Sequence, residues 1–202
     1  MPESTQSDRS GEPRSPAREI QDESAIIERA RQDPAAFAPL YRAYVGSVYR
    51  YCFRRLGAKE LAEDATSQTF TKALRGLESI QHGSFRAWLF SIARNVVIDI
   101  YRKRQPDTAL DDHADPPDPA PTPEELAVSR EDGRRIRSLL AALTEEQRQV
   151  LELRLEGLTG PEIADALDRS VGSVRLLQHR AIQRLRNLLN VDPESGESSD
   201  GT

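Results

Sequence analysis

The stretch from Pro106 to Leu126 limits what this chain can fold into, because it can join neither a helix nor a sheet. It contains six prolines and seven acidic side chains, and neither lysine nor arginine. Proline interrupts helices and strand ladders alike, and like charges keep a segment extended. We therefore expect two folded modules, at residues 25–105 and 130–190, joined by an acidic proline-rich linker at 106–129.

The basic charge of the chain is concentrated in these two modules. The whole sequence of 202 residues has a formal net charge of −5, yet residues 25–105 carry 14 basic against 7 acidic side chains. Residues 127–190 carry 11 basic against 9 acidic side chains. The ends at 1–24 and 191–202 are acidic and have almost no apolar periodicity, which predicts disordered tails. The linker has two open interpretations: a soluble spacer, or an autoinhibitory segment that folds back over the basic faces.

Composition also limits the class of protein. A single cysteine excludes an internal disulfide framework and fits a reducing compartment. The sequence has neither an apolar signal-peptide region nor a run approaching the ~18 apolar residues that span a bilayer. Alternation typical of strands is absent, so both modules are predicted to be helical. We expect an all-α, cytoplasmic protein without membrane insertion.

Helix-start signals divide the C-terminal module into short helices. Thr144 with Gln147 and Thr159 with Glu162 are capping-box pairs, each of which predicts a helix beginning. Gly157 is placed to end the first of these helices. That helix carries the apolar residues Val150, Leu151 and Leu155. A turn at residues 168–170 leads to a last helix, for which Ser170 is the expected cap.

The last helix has one apolar face and one cationic face. At 100° per residue, Val174, Leu177 and Ala181 fall on one side. The stretch 169–187 contains no carboxylate, and four side chains fall on the opposite side: Arg175, Leu176, His179 and Arg180. A short helix, a tight turn and a second helix with a basic outer face form a helix-turn-helix, whose arginines neutralise phosphates or contact guanine.

Some positions of this helix keep two interpretations. Leu176 is either a contact to a thymine methyl or a lone surface leucine. Arg184 and Arg186 either contact DNA or only solvate the end of the helix, where positive charge is favourable.

The N-terminal module is predicted to contain three main helices. Apolar residues at helical spacing occur in 37–57, 62–77 and 85–104, and Pro34 and Gly57 are start and stop signals for the first. Its tyrosines are expected in the core, although stacking on bases is the alternative. Cys52 and Trp88 are also assigned to the core. The second helix exposes neutral polar residues, either a solvated or a docking face, and the third ends in Arg102, Lys103 and Arg104.

The order of these pieces resembles a known family. The strings "AEDATSQTF", "FRAWLFSIARNVVIDIYRKR" and "LTEEQRQVLELRLEGLTGPEIADALDRSVGSVRLLQHRAIQRL" occur in sequence around the linker. They look like region 2 and region 4 of an extracytoplasmic-function (ECF) sigma factor of the sigma-70 family. The resemblance implies promoter DNA and core RNA polymerase, through its largest-subunit clamp helices and its flap, as partners, and an anti-sigma factor as a possible regulator.

The resemblance also implies a role for individual residues. The polymerase-docking face would comprise Asp64, Ser67, Gln68, Phe70 and Thr71. The residues that contact the −10 element would be Ser79, Gln81, His82, Gly83, Ser84, Arg86, Asn95, Arg102, Lys103 and Arg104. The residues that contact the −35 element would be Ser173, Arg175, Leu176, His179 and Arg180.

Two other functional classes compete with this interpretation. A conventional promoter-binding regulator would use the same helix-turn-helix and bind a duplex tightly without polymerase. An enzyme is less favoured, because His82, His113 and His179 lie in a loop, the linker and the last helix, and no phosphate-binding or nucleophile motif is present. We therefore expect neither catalytic activity nor a metal or cofactor.

Overall fold

A computed structural model describes residues 23–80, 83–104 and 139–190, and these residues form two helical modules. The predicted linker at 106–129 and most of the two predicted tails lie outside the described residues. The N-terminal module contains α1 (Glu23–Gln32), α2 (Ala38–Leu56), α3 (Lys59–Arg75) and α4 (Phe85–Arg104). The C-terminal module contains α5 (Glu145–Leu155), α6 (Gly160–Leu167) and α7 (Val171–Asn190). The described ranges contain no strand, in agreement with the all-α prediction.

The boundaries of α2 follow from the predicted signals. A 3₁₀ turn, Pro34–Phe37, precedes α2, and the side chain of Asp33 caps it by accepting from the Ala35 amide at 3.0 Å. Gly57 follows α2 with φ of 70°, a left-handed conformation that costs glycine little. The structure adds one element that the sequence did not indicate, helix α1, which packs against this turn and the 3₁₀ turn Leu77–Ser79.

The core of the N-terminal module is aromatic. The ring of Phe37 contacts the rings of Phe70 and Phe85 edge to face, with centroids about 6 Å apart in each pair. Tyr44 and Tyr51 are fully buried, as expected for core tyrosines, but the core prediction is wrong for Tyr41, which is 45% exposed. Cys52 is buried too, which confirms its assignment. Trp88 is only partly buried and packs against the edge of the core.

The C-terminal module begins its helices at the predicted caps. Both capping boxes are present, with Thr144 and Gln147 before α5 and Thr159 and Glu162 before α6. Asp168 ends α6 in the left-handed conformation, with φ of 52°. The Ser170 hydroxyl then accepts from the Ser173 amide at 3.1 Å at the start of α7. Helix α6, this turn and α7 are a helix-turn-helix, as predicted.

The two modules are in contact, because α6 packs against α4 and the buried apolar residues of both modules form one continuous cluster. Of the apolar residues of α5, Val150 is buried, whereas Leu155 is 65% exposed. Helix α5 also buries Glu145 and Glu152, and Glu156, which directly follows the helix, is buried as well. The reason is the neighbouring module, in which Arg50 and Arg54 pair with Glu156 and Arg55 pairs with Glu145 and Glu152.

Candidate nucleic-acid interfaces

The outer face of α7 is open to solvent in the manner expected of a recognition helix. Arg175, Leu176, His179 and Arg180 are all exposed, and Ser173 at the helix start is half-buried. Val174, Leu177 and Ala181 on the opposite face are buried. This burial fixes the rotation of the helix and leaves two arginines and one imidazole projecting from its first three turns. Such a surface can neutralise phosphates and hydrogen-bond base edges.

The structure distinguishes the other two arginines of α7. Arg184 donates through Nε to the backbone carbonyl of Ala142 at 2.5 Å, so it ties α7 to the segment before α5. This bond supports a structural role for Arg184. Arg186 is exposed and lies 11 residues beyond Arg175, about 16 Å further along the helix.

Most of the predicted −10 residues lie at the two ends of α4. Ser79, Gly83, Asn95, Arg102, Lys103 and Arg104 are exposed, whereas Gln81 and His82 are outside the described residues. Gly83 has φ of 114°, a backbone conformation that side chains other than glycine's rarely adopt. The C-terminal end of α4 is therefore a cluster of three cations. Asp99, one turn earlier, is bound by Lys72 of α3 at 3.1 Å.

The other two predicted −10 residues, Ser84 and Arg86, are bound to the C-terminal module. Ser84 Oγ donates to Glu162 Oε1 at 2.6 Å, and Arg86 Nη2 lies 2.8 Å from Glu162 Oε2. The hydrogen bonds from Ser84 and Thr159 and the charge of Arg86 lower the pKa of Glu162 against the effect of partial burial. Glu162 was predicted only as a helix cap, so its contact with the −10 residues is a finding of the structure.

The predicted polymerase-docking face lies on α3. Asp64, Ser67 and Thr71 are exposed, and Gln68 is half-buried and donates to Asp64 at 2.8 Å. Phe70 differs, because it is 6% exposed and packs against Phe37 and Tyr41. A direct-contact role for Phe70 therefore does not fit its burial, and it supports the face from within the core.

A groove between α2 and α3 adjoins this face, and the sequence did not indicate it. Its volume is about 800 Å³, and its lining includes the exposed side chains of Tyr41 and Leu74 together with Ser67 and Thr71. An apolar groove beside neutral polar residues is typical of a protein-docking surface.

Two compact helical modules, one of which exposes the basic face of a helix-turn-helix, define a DNA-binding protein. Among the described residues, no helix is long and apolar enough to cross a membrane, and no cluster of three potential metal ligands occurs.

The family follows from comparisons with known proteins. Residues 40–106 match the family described as Sigma-70 region 2, and residues 133–185 match Sigma-70, region 4. The chain is 34% identical over 173 residues to the ECF RNA polymerase sigma factor BldN of Streptomyces coelicolor, covering 83% of this chain and 66% of BldN. It is 31% identical over 183 residues to the ECF sigma factor SigW of Bacillus subtilis, covering 83% of this chain and 98% of SigW. The chain belongs to the ECF RNA polymerase sigma factors of the sigma-70 family.

A solved structure agrees with this assignment. The sigma factor RpoE, crystallised with the anti-sigma factor NepR from Bartonella quintana, is 25% identical and superposes with a TM-score of 0.61. The match covers 78% of this chain and 98% of RpoE.

Proposed function

We propose that this protein binds core RNA polymerase and directs it to promoters, with the N-terminal module contacting the −10 element and the C-terminal module the −35 element. The observation that carries the proposal is the outward face of α7. Its arginines are exposed on the second helix of a helix-turn-helix, and the stretch 169–187 contains no carboxylate. Each of the two predicted modules, 25–105 and 130–190, would contact one of these promoter elements.

The −35 contacts are assigned to the first turns of α7. Recognition helices contact base edges through their N-terminal residues. Arg175 and Arg180 would bind phosphates or guanine, and His179 lies between them. Leu176 is 49% exposed among these polar neighbours, and its apolar side chain suits the methyl group of thymine. Ser173, near the helix start, completes this set.

The −10 contacts are assigned to the two ends of α4. Arg102, Lys103 and Arg104 form an exposed cationic end that suits a phosphate backbone. At the other end, the turn containing Gly83 and Ser84 suits close approach to an unstacked base, whose extrusion costs a few kcal/mol that protein contacts must recover. Ser79, Gln81, His82, Arg86 and Asn95 are the further members of this set.

Polymerase docking is assigned to the outer face of α3. Asp64, Ser67, Gln68 and Thr71 present a polar surface with little net charge, and the apolar groove beside it adds contact area. By family resemblance, this surface would meet the clamp helices of the largest subunit, and the C-terminal module would meet the flap.

The proposed partners also indicate where the protein acts and whether it catalyses a reaction itself. A protein that works on polymerase and promoter DNA acts in the cytoplasm and leaves the bond-forming chemistry to polymerase. An anti-sigma factor is a further proposed partner, because RpoE, a similar structure, was solved in complex with one.

Run-off transcription tests the proposal. Purified protein is added to core polymerase on candidate promoters, and the Arg175→Ala/Arg180→Ala variant is compared with Arg186→Ala. The control removes one arginine about 9 Å beyond Arg180 and about 16 Å beyond Arg175 along α7, past the expected base contacts. We expect promoter-specific transcripts that require the protein, decrease strongly in the double variant and persist in the control.

The same experiment separates the competing class. A conventional regulator would bind a duplex operator without polymerase and would not associate with the core enzyme. Absence of core association together with polymerase-independent operator binding would overturn the proposal.

A further inference from the structure

Arg31, in the last turn of α1, binds the backbone that connects α3 to α4. The 3₁₀ turn Leu77–Ser79 and the following Ile80 form this part of the connection, the 77–80 turn. The Arg31 guanidinium donates through Nε to the backbone carbonyl of Leu77 at 3.2 Å and through Nη2 to that of Ile80 at 2.5 Å. One side chain therefore bridges the first and last residues of the turn, which lie 46 and 49 positions away along the chain.

The third nitrogen of the guanidinium is bound within α1. Nη1 of Arg31 donates to both carboxylate oxygens of Glu28, one turn earlier in the helix, at 3.1 and 2.8 Å. A guanidinium presents its donors in a rigid planar fork, so bonds at all three nitrogens fix its orientation as well as its position. The ammonium of lysine is a point charge on a flexible stem and lacks this geometry. The contact is therefore specific to arginine.

Helix α1 is itself fixed to the core of the N-terminal module. Ile27 and Ala30 of α1 are buried. At the first residue of the helix, the Glu23 carboxylate accepts a hydrogen bond from the hydroxyl of Tyr44 in α2. The helix also packs against the 3₁₀ turn that begins the 77–80 turn. Core packing therefore sets the place of Arg31 beside this turn.

The start of the 77–80 turn is held independently by α3 and α4. A Cβ on Gly76, the residue before the turn, would lie 3.2 Å from the Lys72 carbonyl oxygen and 3.3 Å from the Trp88 ring. Leu77 is buried, and the Ser79 hydroxyl donates to the Gly76 carbonyl at 2.7 Å. These contacts fix how the chain leaves α3.

The end of the turn depends more strongly on Arg31. Ile80 is half-buried, and its amide makes a long hydrogen bond, 3.3 Å, to the Leu77 carbonyl. The bond from Arg31 to the Ile80 carbonyl is much shorter, at 2.5 Å. The two carbonyls that Arg31 binds flank Ser79, which is exposed and belongs to the proposed −10 contacts. Arg31 therefore holds the backbone on both sides of a proposed DNA-contacting residue.

We propose that Arg31 is a positioning residue for −10 recognition, which presets the 77–80 turn in the conformation that receives an unstacked base. The inference rests on the proposed function, which supplies the −10 element as the ligand. A segment that is ordered before binding loses less conformational entropy when it binds, so its affinity rises without a new contact. Arg31 acts through the turn and not on the nucleic acid, because its three nitrogens are bound to protein groups.

Hydrogen exchange of the free full-length chain, measured by mass spectrometry, tests the anchor itself. Arg31→Ala should speed exchange of the Ser79 and Ile80 amides, whose hydrogen bonds close the turn. Arg29→Ala is the matched control, since Arg29 is an exposed arginine of the same helix and its removal deletes the same charge. It should leave exchange in the turn unchanged. Faster exchange throughout the N-terminal module of Arg31→Ala would indicate a general loss of stability and would overturn the positioning role.

The affinity for single-stranded DNA tests the consequence for recognition. The probe is a fluorescent oligonucleotide with the non-template −10 sequence of a promoter that the run-off assay identifies, bound to the protein in complex with core polymerase. Arg31→Ala should weaken binding about tenfold, which corresponds to about 1.4 kcal/mol and is comparable to freeing one residue of backbone. Arg31→Lys should restore only part of this affinity, because it keeps the charge and loses the planar fork. Affinity for a −35 duplex should be the same in all variants.

The salt dependence of the same affinity separates positioning from direct contact. An arginine that neutralises a phosphate of a single strand contributes about 0.7 to the slope of log affinity against log salt concentration. If Arg31 acts only through the 77–80 turn, Arg31→Ala lowers the affinity and keeps the slope of the Arg29→Ala control. A slope smaller by about 0.7 would overturn the positioning role in favour of a phosphate contact.

The outcomes distinguish this inference from the proposed function. Unchanged exchange at Ser79 and Ile80 in Arg31→Ala, or a −10 affinity equal to that of Arg29→Ala, would overturn the positioning role and leave the proposed function standing. Absence of any promoter-specific transcript with the wild type would remove the proposed function and the −10 role together. Faster exchange in Arg31→Ala would then still establish that Arg31 anchors the turn.

Discussion

Glu162 Oε2 lies 2.8 Å from Arg86 Nη2 and 2.8 Å from the backbone nitrogen of Thr159. One carboxylate therefore closes the capping box of α6 and binds a side chain at the start of α4. The cap belongs to the C-terminal module and Arg86 to the N-terminal module. Glu162 therefore stabilises the start of α6 and also contributes to the contact between the two modules.

Substitutions of Glu162 should separate these two contributions. Glu162→Ala removes both the cap and the ion pair, and we expect it to lower the free energy of unfolding by about 1–2 kcal/mol. Glu162→Gln retains the cap and should lower it by less. Chemical denaturation followed by circular dichroism measures both values. Gln147→Ala is the control, because it breaks the capping box of α5 alone. Equal losses for Glu162→Ala and Glu162→Gln would contradict the dual role.

The contact between the two modules should strengthen as the pH falls from 8 to 6. Burial raises the pKa of Glu152 from its usual 4.5 to about 7, although Arg55 and Arg54 act in the opposite direction. If the modules separate, the carboxyl returns to water and to its usual pKa. The packed arrangement therefore binds a proton that separated modules do not hold between about pH 4.5 and 7, and its stability decreases as the pH rises through 7.

The other ionisable groups near Glu152 do not reverse this pH dependence between about pH 4.5 and 7. Glu145 raises the pKa of Glu152 and Arg148 lowers it, but the pKa of Glu145 itself lies below its usual value because Arg55, Gln149 and Arg148 stabilise its charge against burial. The raised pKa of Tyr51, which burial causes, keeps this phenol neutral. The radius of gyration measured against pH checks the prediction, and Glu152→Gln should flatten the profile. A profile identical to that of the wild type would contradict the assignment.

The fold of each module could be predicted from the sequence because its signals are local. Capping boxes at Thr144 and Thr159, the stop at Gly57 and apolar spacing in α2, α4 and α7 depend on residues within a few turns of one another. Helix α1 was missed because only Ile27 and Ala30 are buried along it, which is too weak an apolar pattern to stand out.

The contact between the modules could not be predicted, because it pairs residues 55 to 106 positions apart. One signal was nevertheless present in α5: at 100° per residue, Glu145, Gln149, Glu152 and Glu156 fall within about 60° of one another. A stripe of carboxylates on one face normally indicates solvent. In the structure this stripe faces Arg50, Arg54 and Arg55 of α2, so it is part of an interface. The spacing of residues within α5 does not indicate such distant partners. The exposed face of α7 was predictable, since its amphipathic pattern fixes which side chains point outward.

Cys52 should be unreactive in the folded protein. The thiol is buried, and burial raises its pKa from 9.0 to about 12. The reactive thiolate is therefore nearly absent at neutral pH. A thiol-specific chromogenic reagent should label the native protein only at the rate of unfolding, and should label one thiol per chain in denaturant. Rapid labelling of the native state would contradict this burial.

The exposed arginines of α7 should determine how strongly promoter binding depends on salt. Each phosphate contact contributes about 0.9 to the slope of log affinity against log salt concentration, so Arg175→Ala/Arg180→Ala should reduce the slope by about 2 if both side chains contact phosphates. Leu176→Ala is the matched control on the same face, because it removes an apolar contact and no charge. It should change the base preference of the −35 element and leave the slope unaltered. Fluorescence anisotropy of the polymerase-bound protein on −35 duplexes measures both. An unchanged slope with altered base preference in the double variant would assign both arginines to base edges instead of phosphates.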